Sequence, residues 1–194
     1  MSDDAHRLQP RRAVSTDVPA IRRLIDDSVR GLSRGYYTDA QIESALVHVF
    51  GVDTQLIHDG SYFVIDAGAE LAAAGGWSKR RTLYGGDQFK ETADPLLDPA
   101  VDAARIRAFF VHPSWTRRGL ARRLFDACLV AARAEDFRHF ELGATLPGVP
   151  LYEALGFVAI EEQAARMPDG ESLPLIRMRR AIDASAGNTD RSLR

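Results

Sequence analysis

Apolar residues recur along this chain at two spacings, and the switches between them lay out the elements. Val18, Ile21, Leu24, Ile25 and Leu32 keep the 3.6-residue period of a helix with one buried face, preceded by Ser15, Thr16 and Asp17 as N-caps. Ile42, Ala45, Leu46, Val49 and Phe50 keep the same period, and Thr38 with Gln41 has the spacing of a capping box at the start of that second helix. Residues 62–66 and 70–77 read as strands paired around a turn at Ala67 and Gly68. Residues 105–111 are mostly β-formers, with Ile106, Ala108 and Phe110 alternating against Arg107, Phe109 and Val111, which predicts a strand used on both faces; Pro113 ends it. From Gly119 onward Leu120, Leu124, Cys128 and Ala131, flanked by Ala121, Phe125, Leu129 and Ala132, mark the apolar stripe of a long helix. A short strand over 11–14 opens the chain. Residues 140–144 form a later strand, 149–155 a short helix, and 157–162 with 174–180 a closing hairpin.

Two segments keep no period. Residues 30–38 form a glycine-bearing loop that carries adjacent Tyr36 and Tyr37, candidates for lining a substrate pocket or for covering the core between two helices. Residues 78–104 read as a long loop, and loops of that length inside a compact domain are uncommon and often functional. Its Gly85, Gly86, Asp87 and Gln88 are candidates for a lid or a substrate contact, the alternative being a disordered surface loop.

Charge draws attention to the start of the long helix. Arg117, Arg118, Arg122 and Arg123 crowd an end where the macrodipole is already positive, so the pattern asks for an anion. The unpaired N–H groups of a first helical turn bind phosphate, and Gly119 with Ala121 lets the backbone come close; a basic helix start bathed in water is the other reading.

The 194 residues, 45% hydrophobic and 27% charged with a formal net charge of −2, fit one folded domain over 11–182 between flexible tails at 1–10 and 183–194. That balance gives no support for a nucleic-acid partner. The single cysteine, Cys128, lies on the apolar stripe, which predicts a buried thiol and excludes an internal disulfide; no Cys/His spacing suggests a metal. The first ten residues lack an apolar stretch and no apolar run reaches bilayer length, so no membrane partner and a cytoplasmic location are expected.

Residues 116–121, TRRGLA, come next to a motif that reads Gln or Arg, two residues, Gly, one residue, then Gly or Ala, departing from it only at Thr116. With VHP at 111–113 before it and LYEALGF at 151–157 after it, the chain resembles the GNAT superfamily of acyl-CoA-dependent N-acyltransferases over roughly residues 11–180. The resemblance implies an α/β (α+β) fold with a mixed, mostly antiparallel central sheet flanked by helices, in which the strand before the motif splays from the next. It also implies acetyl-CoA as co-substrate, with the main chain of Phe109, Phe110 and Val111 along the pantetheine arm. The amides of Arg117, Arg118, Gly119, Leu120, Ala121 and Arg122 would then hold the pyrophosphate. Tyr152, at the tyrosine of the second motif, would be the general acid on the departing thiolate, or else a packing residue. The oxyanion would fall to the amide of Phe110 or Val111. Residues 105–111 carry no carboxylate, so the general base is open: Glu141 is the first candidate, with Asp87 and His112 behind it. Tyr36, Tyr37 and Asp87 are the substrate-binding candidates. The expected activity is acetyl transfer to a primary amine of a small-molecule or peptide acceptor. A non-catalytic acyl-CoA-binding sensor or regulatory module is the alternative, and a nucleotide-binding scaffold a third. The resemblance also allows a homodimer.

Overall fold

A computed structural model describes residues 8–90 and 94–182. The tails expected at 1–10 and 183–194 lie outside these residues, apart from 8–10. Seven strands form one sheet: β1 (Pro10–Arg12), β2 (Tyr62–Ala67), β3 (Glu70–Ser78), β4 (Ala104–Val111), β5 (His139–Thr145), β6 (Val158–Arg166) and β7 (Ser172–Ala181), in the order β1-β2-β3-β4-β5-β7-β6. Every neighbouring pair is antiparallel except β4 and β5, which run parallel. The mixed, mostly antiparallel sheet implied by the sequence is therefore present.

Helices cover both faces because the strands are apolar on both. On one face α1 (Val18–Leu32), α2 (Asp39–His48) and α3 (Thr54–His58) pack Ile21, Leu24, Ile42 and Leu56 against Val64, Leu173 and Leu175. On the other, α4 (Leu120–Ala134) buries Leu124, Phe125 and Cys128 against Ile65, Phe140 and Leu142, and α5 (Val149–Ala154) closes that side beyond β5. The capping box forms as spaced: the Gln41 N–H donates to Thr38 Oγ1 at 3.1 Å and the Thr38 N–H to Gln41 Oε1 at 3.1 Å.

Four expectations shift. The first helix runs on to Leu32, shortening the loop expected from residue 30. Helix α3 was not legible, since five residues are too few to show a period; Asp53 caps it by accepting from the Gln55 N–H at 3.2 Å. The closing hairpin is longer on both strands, because the polar run Glu161, Glu162 and Gln163 hides the alternation of the edge strand β6. The long loop is anchored, with a 3-10 turn over Asp87–Phe89 and a bridge between Arg80 and Leu96. Among the described residues no three His, Cys, Asp or Glu side chains gather as metal ligands, and no helix is long and apolar enough to cross a membrane.

Candidate active site

The site begins with an irregularity in β4. Its register with β3 jumps from Gly76↔Arg107 to Ala74↔Phe110, so Ala108 and Phe109 together face Gly75. This is a bulge: Ala108 takes φ 53°, and the Tyr62 hydroxyl donates to its carbonyl at 2.9 Å. Gly75 is required there, since a Cβ would sit 2.7 Å from the Phe109 ring. Bulging re-aims the strand, and β4 pairs with β5 only at Ala104↔Phe140 and Arg105↔Glu141 before the two part. The gap is a cavity of about 210 Å³. Phe109, Phe110 and Val111 line one wall, Gly143 and Thr145 the other, and Leu83, Tyr84, Gly85 and Gly86 of the long loop close over it.

The turn after β4 opens beside this gap. Arg117 at φ 59° and Gly119 at φ 75° both take left-handed conformations, and Gly119 N-caps α4. Left-handed residues in this bend turn successive amides outward. The Thr116 N–H reaches Pro113 O and the Arg123 N–H reaches Gly119 O at 3.1 Å, whereas among the described residues no protein acceptor takes the N–H groups of residues 117–122. A Cβ on Gly119 would find no atom within 4 Å, so the approach is open. Ala121, two residues on, borders the cavity itself. The arginines divide: Arg122 donates to Ala154 O at 3.1 Å and Arg123 to Leu8 O at 2.8 Å, Arg118 stacks 4.6 Å over the Trp115 ring, and Arg117 is exposed.

Tyr152 lies on α5 and borders the cavity, its ring edge-on to Phe109 at 6.4 Å and to Phe157 at 5.7 Å. Burial pushes its phenol well above the ordinary tyrosine value, so it is protonated at neutral pH. Glu141 is placed elsewhere. Its Oε2 accepts from Arg105 Nη1 at 2.7 Å and from Arg177 Nη2 at 2.8 Å, and its side chain does not border the cavity. Burial alone would raise this carboxyl, but the hydrogen bond of Arg177 and the charges of Arg105 and Arg177 outweigh it and hold the group below its usual value.

None of the substrate-binding candidates borders the cavity either. Tyr37 is buried in the α1–α2 core, where its hydroxyl donates to Pro174 O at 2.7 Å and accepts from the Leu146 N–H at 2.8 Å; burial pushes its pKa up to about 12. Tyr36 is exposed. Asp87 caps α3 by accepting from the Thr54 N–H at 3.1 Å. His112 Nδ1 accepts from the Ser114 N–H at 3.2 Å beyond the end of β4.

Three features escaped the sequence reading. Ser28 of α1 borders the cavity and accepts from the Val111 N–H at 3.3 Å. Leu83 and Tyr84 close the cavity from the aperiodic loop, with the Tyr84 ring packed over Gly143. Beneath them Arg107, whose side chain is 1% exposed, donates to Asp53 Oδ2 at 2.9 Å, Thr82 O at 2.9 Å and Gly85 O at 2.6 Å. A charged residue in the alternation of a strand used on both faces was the available signal for the last.

Residues 99–179, from just before β4 into β7, match the family model described as an acetyltransferase (GNAT) domain. A search of curated protein sequences finds no match. Among solved structures, the chain is similar to a GCN5-related N-acetyltransferase from Rhodopseudomonas palustris, at 16% identity over 90% of this chain and 95% of that one, with a TM-score of 0.66. It is similar to yncA of Salmonella typhimurium, solved with its cofactor acetyl-CoA, at 18% identity over 93% and 97%, with a TM-score of 0.57. A PaiA N-acetyltransferase from Thermoplasma acidophilum in complex with coenzyme A is similar at 9% identity over 90% and 98%, with a TM-score of 0.58. The bulged strand, the open turn and Tyr152 all lie inside the segment that matches the GNAT acetyltransferase domain model.

Proposed function

We propose that this protein transfers the acetyl group of acetyl-CoA to a primary amine of a small-molecule or peptide acceptor. The observation that carries the reading is the run of N–H groups at residues 117–122 that find no acceptor among the described residues, opening beside a cavity that Tyr152 borders. Such a run at a helix N-terminus suits a diphosphate, and the apolar slot between β4 and β5 suits the pantetheine arm. Acetyl-CoA supplies an activated acyl group as a thioester.

The chain's own residues would manage the charges. The His112 N–H crosses the ladder to Ala72 O, so Val111, one residue earlier, points its N–H to the open edge, where among the described residues only Ser28 Oγ engages it. That amide is the donor for the carbonyl oxygen as negative charge develops on it. As the amine nitrogen bonds to the carbonyl carbon and the carbon–sulfur bond breaks, the sulfur takes the Tyr152 proton. The proton shed by nitrogen restores the phenol through water, since no carboxylate or imidazole lines the cavity among the described residues.

Titration calorimetry with acetyl-CoA tests the seat. Gly119→Ala and Gly119→Glu share the left-handed strain of about 1–2 kcal/mol, but only the glutamate brings charge into the open approach. Binding is expected to survive in the alanine variant and to fall at least about a hundredfold in the glutamate variant; equal affinities would place the diphosphate elsewhere. Tyr152→Phe is expected to bind acetyl-CoA unchanged and to release CoA to amines about 10²-fold more slowly, in the range for loss of a general acid.

The absence of a base from the described cavity lining favours a second reading, a non-catalytic acyl-CoA-binding sensor. Acetyl-CoA binding with no CoA release across a broad amine panel would select it.

A further inference from the structure

A second concavity, of about 750 Å³, lies on the outer side of Leu83 and Tyr84, which border both spaces. His48 at the end of α2, Arg81, Lys90 and Asp94 after β3, and Gln163 and Arg166 of β6 wall it. Most of these polar groups are committed within the protein. Lys90 Nζ sits 2.6 Å from Asp53 Oδ1 and 3.8 Å from Asp94 Oδ2, and Asp94 Oδ1 accepts from the Thr82 N–H at 2.8 Å. His48 faces Asp169 at 3.6 Å, and Ser44 donates to the same carboxylate at 2.6 Å. Gln163 donates to Glu161 at 2.6 Å. Arg81 and Arg166 remain. Both are exposed, and among the described residues neither has a carboxylate partner.

Their backbones are nonetheless fixed. The Arg81 N–H donates to Pro95 O at 3.1 Å, and Arg166 is paired with Ser172 in the β6–β7 ladder. Two guanidiniums bordering one concavity, where Asp94 already faces Lys90 at 3.8 Å, make a site rich in donors. Such forks match the paired oxygens of a carboxylate or phosphate.

We propose that this basin receives the acceptor and selects an amine that also carries an anionic group, held by Arg81 and Arg166 while the amine passes between Leu83 and Tyr84 toward Tyr152. The proposal rests on the acetyl-transfer reading. The anion lowers the acceptor's KM, and the arginines take no part in bond making.

The test is a set of matched amines: 4-aminobutyrate against 4-aminobutanamide, and phosphoethanolamine against ethanolamine. Binding is measured by ligand-observed NMR on the CoA-saturated chain, and turnover by CoA release. At least one anionic member is expected to exceed its neutral partner about tenfold in affinity and in kcat/KM, and which member does so tells carboxylate from phosphate. The Arg81→Gln/Arg166→Gln double variant is expected to erase that ratio through KM while leaving the acetyl-CoA Kd and the Tm unchanged. Neutral amines bound as well as anionic ones, or a preference that survives in the double variant, would overturn the proposal. Failure of the acetyl-transfer reading is separate: it shows as no acetyl-CoA binding, and the NMR comparison is then run on the free chain, where the same ratio decides.

Discussion

At the scale of single residues, Arg107 shows how one buried charge shapes a site it does not touch. Its guanidinium spans Asp53, Thr82 and Gly85, so the loop that closes the cavity is stapled from below rather than draped over it. Removing one partner of a buried pair costs about 3–5 kcal/mol when the other is left uncompensated, and because Asp53 keeps Lys90 at 2.6 Å the cost here belongs at the low end of that range. Arg107→Met is therefore expected to lower the Tm by roughly 10 °C, given about 2–4 °C per kcal/mol for a domain of this size. Adding Asp53→Asn should recover part of the loss, and a double-mutant cycle read by chemical denaturation checks it; strictly additive losses would mean that the two side chains do not act as a pair. Residues of this kind are hard to read from a sequence. Gly119, Ala121 and Tyr152 were legible because their spacing is local, whereas the partners of Arg107 come from 22 to 54 positions away. Tyr37 was visible as a conspicuous aromatic, but its destination depended on β7 and the turn after β5, which no local pattern encodes.

Elements carry the second level of control. Glu141 ties together the three strands beside the gap: Arg105 from β4 and Arg177 from β7 share its Oε2, and Arg179 Nε stands 3.9 Å from Oε1. The folded carboxyl lies below its ordinary value, so its stabilisation is complete above the unfolded carboxyl's pKa and is lost as pH falls through the folded one. Glu141→Gln is expected to destabilise the protein by about 3 kcal/mol at neutral pH, as for loss of one partner in a buried pair. The same substitution should flatten the decline in stability below about pH 4.5, around the ordinary glutamate pKa. Urea melts of both proteins across pH 3 to 7 measure this, and parallel acid limbs would remove Glu141 as the source. The element map shows the same division between local and distant information. Helices α1, α2 and α4 announced themselves through period and caps. The bulge in β4 did not, because it is fixed by Gly75, Phe109 and the Tyr62 hydroxyl across two other strands.

Over the whole molecule, the sheet is a two-sided wall with a seam. One core lies between α4 and the sheet and the other between α1, α2, α3 and the opposite face, and β4 and β5 share only two register pairs where the seam begins. A ligand seated in the seam with its diphosphate on α4 would replace the missing strand contacts and join the two halves. By mass action, acetyl-CoA at a hundred times its Kd adds about 2.7 kcal/mol, so the Tm should rise with ligand concentration. The distribution of protection is the sharper measurement. Hydrogen exchange is expected to slow most at residues 117–122, whose amides find no acceptor among the described residues, and at Val111, whose amide donates to Ser28 at 3.3 Å. Residues of β1 and β2, remote from the seam, should gain only the global increment. Uniform slowing through the sheet, with no excess at the open turn, would mean that the ligand stabilises the fold without occupying the seam.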